Sequence, residues 1–293
     1  MKNPVVYLRL MRPANIVTSV ADVLAGMAIS GYFLADNQDF VPVLLLCLST
    51  IGLYGGGIVF NDVFDAELDK IERPERAIPS GAVSIQEAIV LGLILFVLGL
   101  SAAFAFSIWS GMIAFLILVF ALIYDKFGKH HPFLGPLNMG ICRGLNLLLG
   151  ISIIDLSLHS KYFLGLIPLV YIFSITMISQ GEVHGSNRKK LYTGAFLYLT
   201  VIGFILYSSY LQHQMLISLI LLIPFAWMIF KPLFKAIQDP VGKNIGKAVK
   251  AGVISLILMD AAWAAAFGQV YFALIIASLL PLSLWLAKRF AVT

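Results

Sequence analysis

The sequence predicts an all-α protein, a polytopic transmembrane helical bundle of nine to ten spans. Three observations carry that expectation. Of 293 residues, 60% are hydrophobic and only 12% are charged, and the mean hydropathy is +0.94. A soluble domain carries about 25% charged residues, so a soluble globular enzyme and a disordered chain are both excluded. The apolar residues also gather into long runs, and the basic residues gather between every second pair of those runs. The formal charge of +5 therefore reads as membrane orientation rather than as a nucleic-acid surface. Cys47 and Cys142 both lie inside apolar runs and offer neither a disulfide framework nor a metal cluster.

A membrane-crossing helix needs roughly 20 mostly apolar residues. Segments at 14–34, 41–60, 87–107, 110–124, 133–154, 162–179, 191–211, 215–230, 248–267 and 270–287 approach or meet that length. The fourth and eighth are short, which predicts a span with little tilt or only a partial crossing. Strands are excluded because the runs lack period-2 alternation and are rich in Leu, Ile, Ala and Gly. The first segment reads as a retained span: Asp22 interrupts it, and no small-x-small cleavage pattern precedes Asp36. No low-complexity linker divides the chain, so one domain covering residues 1–293 is expected. Long polar loops after segments two and six give a weak internal echo of a duplicated four-helix unit.

The basic residues test the layout independently. Lys2, Arg9 and Arg12 precede segment one; Lys70, Arg73 and Arg76 follow segment two; Lys126 and Lys129 follow segment four. Arg188, Lys189 and Lys190 follow segment six, lysines 231, 235, 243, 247 and 250 follow segment eight, and Lys288 and Arg289 follow segment ten. The opposite connections hold only Lys161. The positive-inside rule then places the N-terminus and the basic loops in the cytoplasm of a multi-pass protein of the cell inner membrane.

Seven of the 15 acidic residues fall between Asp62 and Glu87. Asp62, Asp65 and Asp69 are spaced i, i+3, i+7, which puts them on one helical face. Carboxylates converging at a helix end repel unless a cation joins them. Magnesium takes hard oxygen ligands and completes its shell with water and substrate phosphates. Arg73 and Arg76 can donate to phosphate, while Pro74 and Pro79 stop the helix and Gly81 permits the turn into segment three. A solvated acidic loop paired with its own arginines is the plainer alternative.

Charged groups inside a span cost about 2.5–3.5 kcal/mol each on insertion scales, so they turn toward the bundle. Arg143 sits ten residues into segment five, between Asn138 and Asn146. It either lines a cavity and meets an anionic substrate or pairs with Asp22 or Asp260. Asn15 either orients metal or substrate or makes a helix–helix hydrogen bond. Asp260, in an Ala-rich helix, reads as a packing group. Lys126 is either a contact for an anionic group or a positive-inside anchor.

The run Asn61-Asp62-x-x-Asp65-x-x-x-Asp69, followed by Arg73-Pro74-x-Arg76-x-Ile78-Pro79-Ser80-Gly81, resembles the first aspartate-rich motif of the UbiA superfamily of intramembrane prenyltransferases. Arg12-Pro13-x-Asn15 resembles that family's opening motif, and Asn138-x-Gly140 through Gly150 is a looser match. The resemblance implies transfer of a prenyl group from an allylic prenyl diphosphate to a lipophilic or aromatic acceptor, with Mg2+ as cofactor. It implies Asp62, Asp65 and Asp69 as metal-side ligands, with Arg143 also among the catalytic candidates. Asn15, Asn61, Arg73, Arg76 and Lys126 are candidate substrate contacts. The bilayer and the two substrates are the implied partners, with no nucleic acid.

The family's second motif reads like Asp-x-x-Asp-x-x-x-Asp-Arg. Here the stretch is Ser179-Gln180-Gly181-Glu182-Val183-His184-Gly185-Ser186-Asn187-Arg188. Glu182 keeps one carboxylate, as a candidate metal and substrate contact, and serines stand at the other two positions. Neutral residues bind a hard cation less well. His184 can take a softer metal, act as acid or base, or simply anchor the interface, and Arg188 is a candidate diphosphate contact. The run from Gly181 to Arg188 resembles the divergent EboC-type branch of UbiA-like proteins. Two readings follow: an enzyme with one complete metal site, or an altered protein that binds or transports a lipophilic metabolite.

Overall fold

The computed structural model describes residues 4–34, 39–128, 131–182 and 185–290. Among the described residues thirteen α-helices follow one another: α1 (Pro4–Met11), α2 (Pro13–Ser30), α3 (Phe40–Phe64), α4 (Ala66–Glu72), α5 (Ile85–Phe106), α6 (Ile108–Ile123), α7 (Leu134–Ile151), α8 (Asp155–Lys161), α9 (Leu166–Ser179), α10 (Arg188–Leu211), α11 (Met215–Gln238), α12 (Gly242–Ala266) and α13 (Val270–Arg289). No strand occurs among the described residues.

Local chemistry sets the breaks. Pro13 opens α2 at a position where a missing N–H costs nothing, and Arg12 before it turns left-handed, with φ 48°. Ser84 and Glu87 form a reciprocal capping box that starts α5, and the Ser107 hydroxyl accepts from Ser110 N–H to start α6. Asn187 caps α10 by accepting from the Lys189 N–H.

Nine of these helical stretches among the described residues are long and apolar enough to cross a membrane. The protein is an integral, multi-pass membrane protein. The fourth segment extends through a π-turn at Tyr124–Gly128, giving a span from Ile108 to Gly128, and the eighth runs from Met215 to Gln238. Both are full length; the sequence understated them because polar residues end each one. Helix α7 falls outside the nine because it carries Asn138, Arg143 and Asn146, all buried. Its neighbours are α2, α6 and α9, so it needs no lipid-facing surface.

The bundle is sorted into inner and outer helices. Within the spanning window, 83% of α12 and 78% of α2 is buried, against 22% of α13 and 28% of α10 and α11. Small residues bring the inner helices together, as expected where lipid supplies no hydrophobic drive between helices. A Cβ on Gly26 of α2 would strike the Leu147 carbonyl of α7, and one on Gly150 would strike the Val23 carbonyl. The same backbone contact joins α3 to α5, where a Cβ on Gly99 would lie 2.8 Å from the Ser49 oxygen.

Candidate active site

A cavity of about 490 Å3 runs between α2, α3, α6, α7, α9 and α12. One end is formed by loop and helix-end residues: Arg12, Asn61, Asp65, Asp69, Glu72, Arg73, Arg76, Asp125, Ser179 and Glu182. The middle is apolar, with Leu53, Ile58, Ile117, Ile172, Ile175, Val249 and Leu256. Thr50, Tyr54, Arg143 and Asn146 line it deeper along α3 and α7.

The acidic loop is folded rather than solvated. Helix α3 ends at Phe64, Asp65 forms the junction, and α4 resumes at Ala66. Asp62 is buried and does not line the cavity; its Oδ1 accepts from Arg12 Nη2 at 2.6 Å and lies 3.4 Å from Arg76 Nη1. Arg76 Nη1 also donates to Asp69 Oδ2 at 2.8 Å. Burial pushes the Arg12 pKa down, while the Asp62 charge opposes that shift. The polar residues of this stretch that face the cavity begin with Asn61, Asp65 and Asp69, spaced i, i+4, i+8, and continue with Glu72, Arg73 and Arg76. Asn61 Nδ2 donates to Asp125 Oδ1 at 2.9 Å.

The second loop carries a single acid, Glu182. Ser179 Oγ donates back to the Thr176 carbonyl at 2.8 Å. Glu182 lines the cavity, and its Oε1 is buried with no hydrogen-bond partner. Burial pushes the Glu182 carboxyl above its ordinary value, with the Arg73 charge pulling the other way. Arg188 is exposed and donates to the Gln238 carbonyl at 3.2 Å, away from the cavity lining. His184 lies outside the described residues.

Deeper in the bundle, Arg143 both pairs and lines. Its Nε lies 2.5 Å from Asp22 Oδ2, its Nη2 donates to the Thr18 carbonyl at 2.7 Å, and its Cζ sits 5.4 Å from the Tyr54 ring centre. Asn146 Nδ2 donates to Asp22 Oδ2 and to the Ser19 carbonyl, both at 2.9 Å, and its Oδ1 accepts from Thr50 at 2.6 Å. The buried Asp260 carboxyl is near enough to interact electrostatically with Asp22, and neither of its oxygens has a hydrogen-bond partner among the described residues.

The structure thus gathers Asn15, Asn61, Asp65, Asp69, Arg73, Arg76, Arg143 and Glu182 around one cavity. It leaves Asp62, Lys126 and Arg188 off the lining. Lys126 is exposed with its Nζ 5.1 Å from the Phe127 ring centre. Its neighbour Asp125 is the buried group, a residue that sequence reasoning passed over. An acid at the end of a span, beside a positive-inside lysine, was the available signal.

Among the described residues, no three His, Cys, Asp or Glu side chains are grouped closely enough to hold a metal alone. Magnesium asks for less: one or two carboxylates, with water and substrate phosphates completing an octahedron. Asp65 and Asp69 on the lining, and the partnerless Glu182 Oε1, fit that requirement.

The profile of the UbiA prenyltransferase family matches residues 23–244. A digeranylgeranylglyceryl phosphate synthase of Saccharolobus solfataricus is 30% identical over 177 residues, covering 59% of this chain and 60% of that protein. The corresponding protein of Sulfolobus acidocaldarius is 28% identical over 234 residues, covering 74% of this chain and 81% of its own. The chain thus spans about 60% of the length of the first of these relatives. Among solved structures, a UbiA homolog from Aeropyrum pernix K1 superposes with a TM-score of 0.68 at 17% identity, covering 84% of this chain and 96% of its own. A UbiA homolog from Archaeoglobus fulgidus bound to DMAPP and Mg2+ superposes with a TM-score of 0.62 at 16% identity, covering 89% and 99%.

Proposed function

This chain belongs to the UbiA prenyltransferase family, and from that premise we propose that it transfers a prenyl group from an allylic diphosphate to a lipophilic acceptor inside the bundle. The observation that carries the reading is the cavity itself. It joins a charged end, holding Asp65, Asp69, Arg73 and Arg76, to a largely apolar interior. The relatives' names and the diphosphate-bound neighbour support the same chemistry.

Bound Mg2+ supplies charge neutralisation of the diphosphate and eases its departure. Asp65 and Asp69 are the residues placed to hold it, with Glu182 as an additional oxygen. Arg73 and Arg76 donate to the diphosphate, where negative charge grows as the carbon–oxygen bond breaks. The acceptor then forms the new bond to the allylic carbon and loses a proton, while the apolar walls exclude water from competing. Asp62 acts through Arg12 and Arg76, fixing the arginines rather than touching metal. The proposal keeps residues 1–293 as one domain, with the charged end facing the cytoplasm across the cell inner membrane. The narrower likeness to the EboC-type branch rests on the 181–188 run alone.

The second loop, with its single acid, supports one rival, a carrier that binds such a ligand without turnover. Purified protein given an allylic diphosphate and an acceptor extract decides between them. Magnesium-dependent release of diphosphate, lost in Asp65→Ala, is the expected result. Binding without release would establish the carrier, and absence of binding would sink both.

A further inference from the structure

The cavity is polar at both ends, and the deep end is not explained by diphosphate chemistry. Along α3, Thr50 lies 15 residues from Asp65, so about 22 Å of helix separates the two ends at 1.5 Å per residue. A hydrocarbon tail filling that whole length would press apolar carbon against Arg143 and Asn146. Buried polar groups need partners, and burying one without them costs free energy.

The deep end keeps an open donor on Arg143. Asn146 spends both its amide nitrogen and its oxygen on Ser19, Asp22 and Thr50. Arg143 turns Nε to Asp22 and Nη2 to Thr18, which leaves Nη1 buried and without a hydrogen-bond partner. Arg143 as a whole is 2% exposed and lines the cavity. A guanidinium held on two sides by α2 is a fixed donor, and its Nη1 hydrogens remain unpaired.

The local charge says which ligand. Asp22 already pairs with Arg143, and the Asp260 carboxyl stands beside Asp22. Asp22 already balances the Arg143 charge, so an anionic ligand would add net negative charge to a place deep in the bilayer where charge is costly. An uncharged oxygen adds none. We propose that Arg143 Nη1 forms a second subsite that takes an uncharged oxygen, a phenol or carbonyl, on the lipophilic acceptor. This inference rests on the prenyl-transfer reading for the identity of its ligand as acceptor, and it departs from an anion-binding role for Arg143.

Four probes of one size test it: naphthalene, 2-methoxynaphthalene, 2-naphthol and 2-naphthoate, titrated into the full-length protein in nanodiscs. A hydrogen bond to a charged group predicts that naphthol and methoxynaphthalene bind about tenfold more tightly than naphthalene. Naphthoate should bind no better than naphthalene. In the charge-balanced double variant Arg143→Gln with Asp22→Asn, the oxygen preference should fall to within about twofold. The idea is overturned if naphthoate binds tightest, if all four probes bind alike, or if a folded double variant keeps the preference. Should that variant fail to fold, the wild-type series alone decides. Magnesium-dependent binding of a non-hydrolysable prenyl diphosphate, measured on the wild type, reports the charged end separately, so failure of the function reading is distinguishable from failure of this subsite.

Discussion

The two loops that border the charged end of the cavity are built on opposite plans. The first, from Asn61 to Gly81, is a lattice of ion pairs: Arg12 to Asp62, and Arg76 to both Asp62 and Asp69. The second, around Ser179 to Arg188, offers Glu182 with an orphaned oxygen and serine hydroxyls turned back on their own helix or chain. One side is preorganised by charge, and the other waits for a partner. Under the proposed function, the metal and leaving-group chemistry falls mainly to the first loop, with Glu182 of the second as an additional oxygen.

The largest test of that asymmetry removes charge from the first loop. Asp65→Asn or Asp69→Asn should lower the rate of diphosphate release by about 100-fold or more, the scale expected when one stabilising group is lost from a transition state. Ser179→Ala, in the second loop, should leave the rate nearly unchanged. Equal losses in steady-state assays would break the comparison.

Next in size is a stability effect. Asp62→Ala leaves the Arg12 and Arg76 guanidiniums facing each other without their shared carboxylate. Breaking a buried pair in this way costs about 3–5 kcal/mol, visible as a lower Tm in detergent. An unchanged Tm would mean that the lattice does not hold the first loop.

A gain-of-function variant sharpens the contrast from the other side. Ser179→Asp restores an acid to the second loop and should lower the Mg2+ concentration for half-maximal activity about fivefold, on the order of 1 kcal/mol. No shift in the Mg2+ titration would show that this position does not reach the metal.

The smallest expected effect concerns pH. Burial holds the Glu182 carboxyl above its ordinary value, so the folded chain keeps this proton more tightly than the unfolded chain does. Its contribution to stability is therefore full at acidic pH and fades as pH rises through the raised value. Tm measured across pH should show that decline without Mg2+ and a flatter profile in Glu182→Gln. A decline of equal slope in the variant would assign it to another group.

Much of this architecture was legible in the residues. Apolar runs gave the spans, and the acid-rich stretch after segment two gave the site. What the spacing could not fix was which face of that stretch turns inward. Asp62, Asp65 and Asp69 share a face on an unbroken helix, yet the cavity takes Asn61, Asp65 and Asp69. The reason is tertiary: Arg12 and Arg76 claim Asp62, and the helix is broken at Asp65. Lys126 and Asp125 differ for a similar reason, because a π-turn at Tyr124–Gly128 ends the span, burying the acid and exposing the lysine. Arg143 was seen as a residue with two possible roles. The structure shows the pair with Asp22 and places Arg143 on the cavity lining as well.

The sorting of inner and outer helices also bears on how the chain enters the bilayer. The helices most enclosed by protein include the least hydrophobic: α2 has a mean hydropathy of 1.3 and α12 of 1.6, against 2.7 for α5. During synthesis α7 emerges carrying Arg143 long before α12 brings Asp260, but α2 and its Asp22 are already present. Chain order thus makes the partner of Arg143 available before α7 has to enter the bilayer, while Asp260 follows much later.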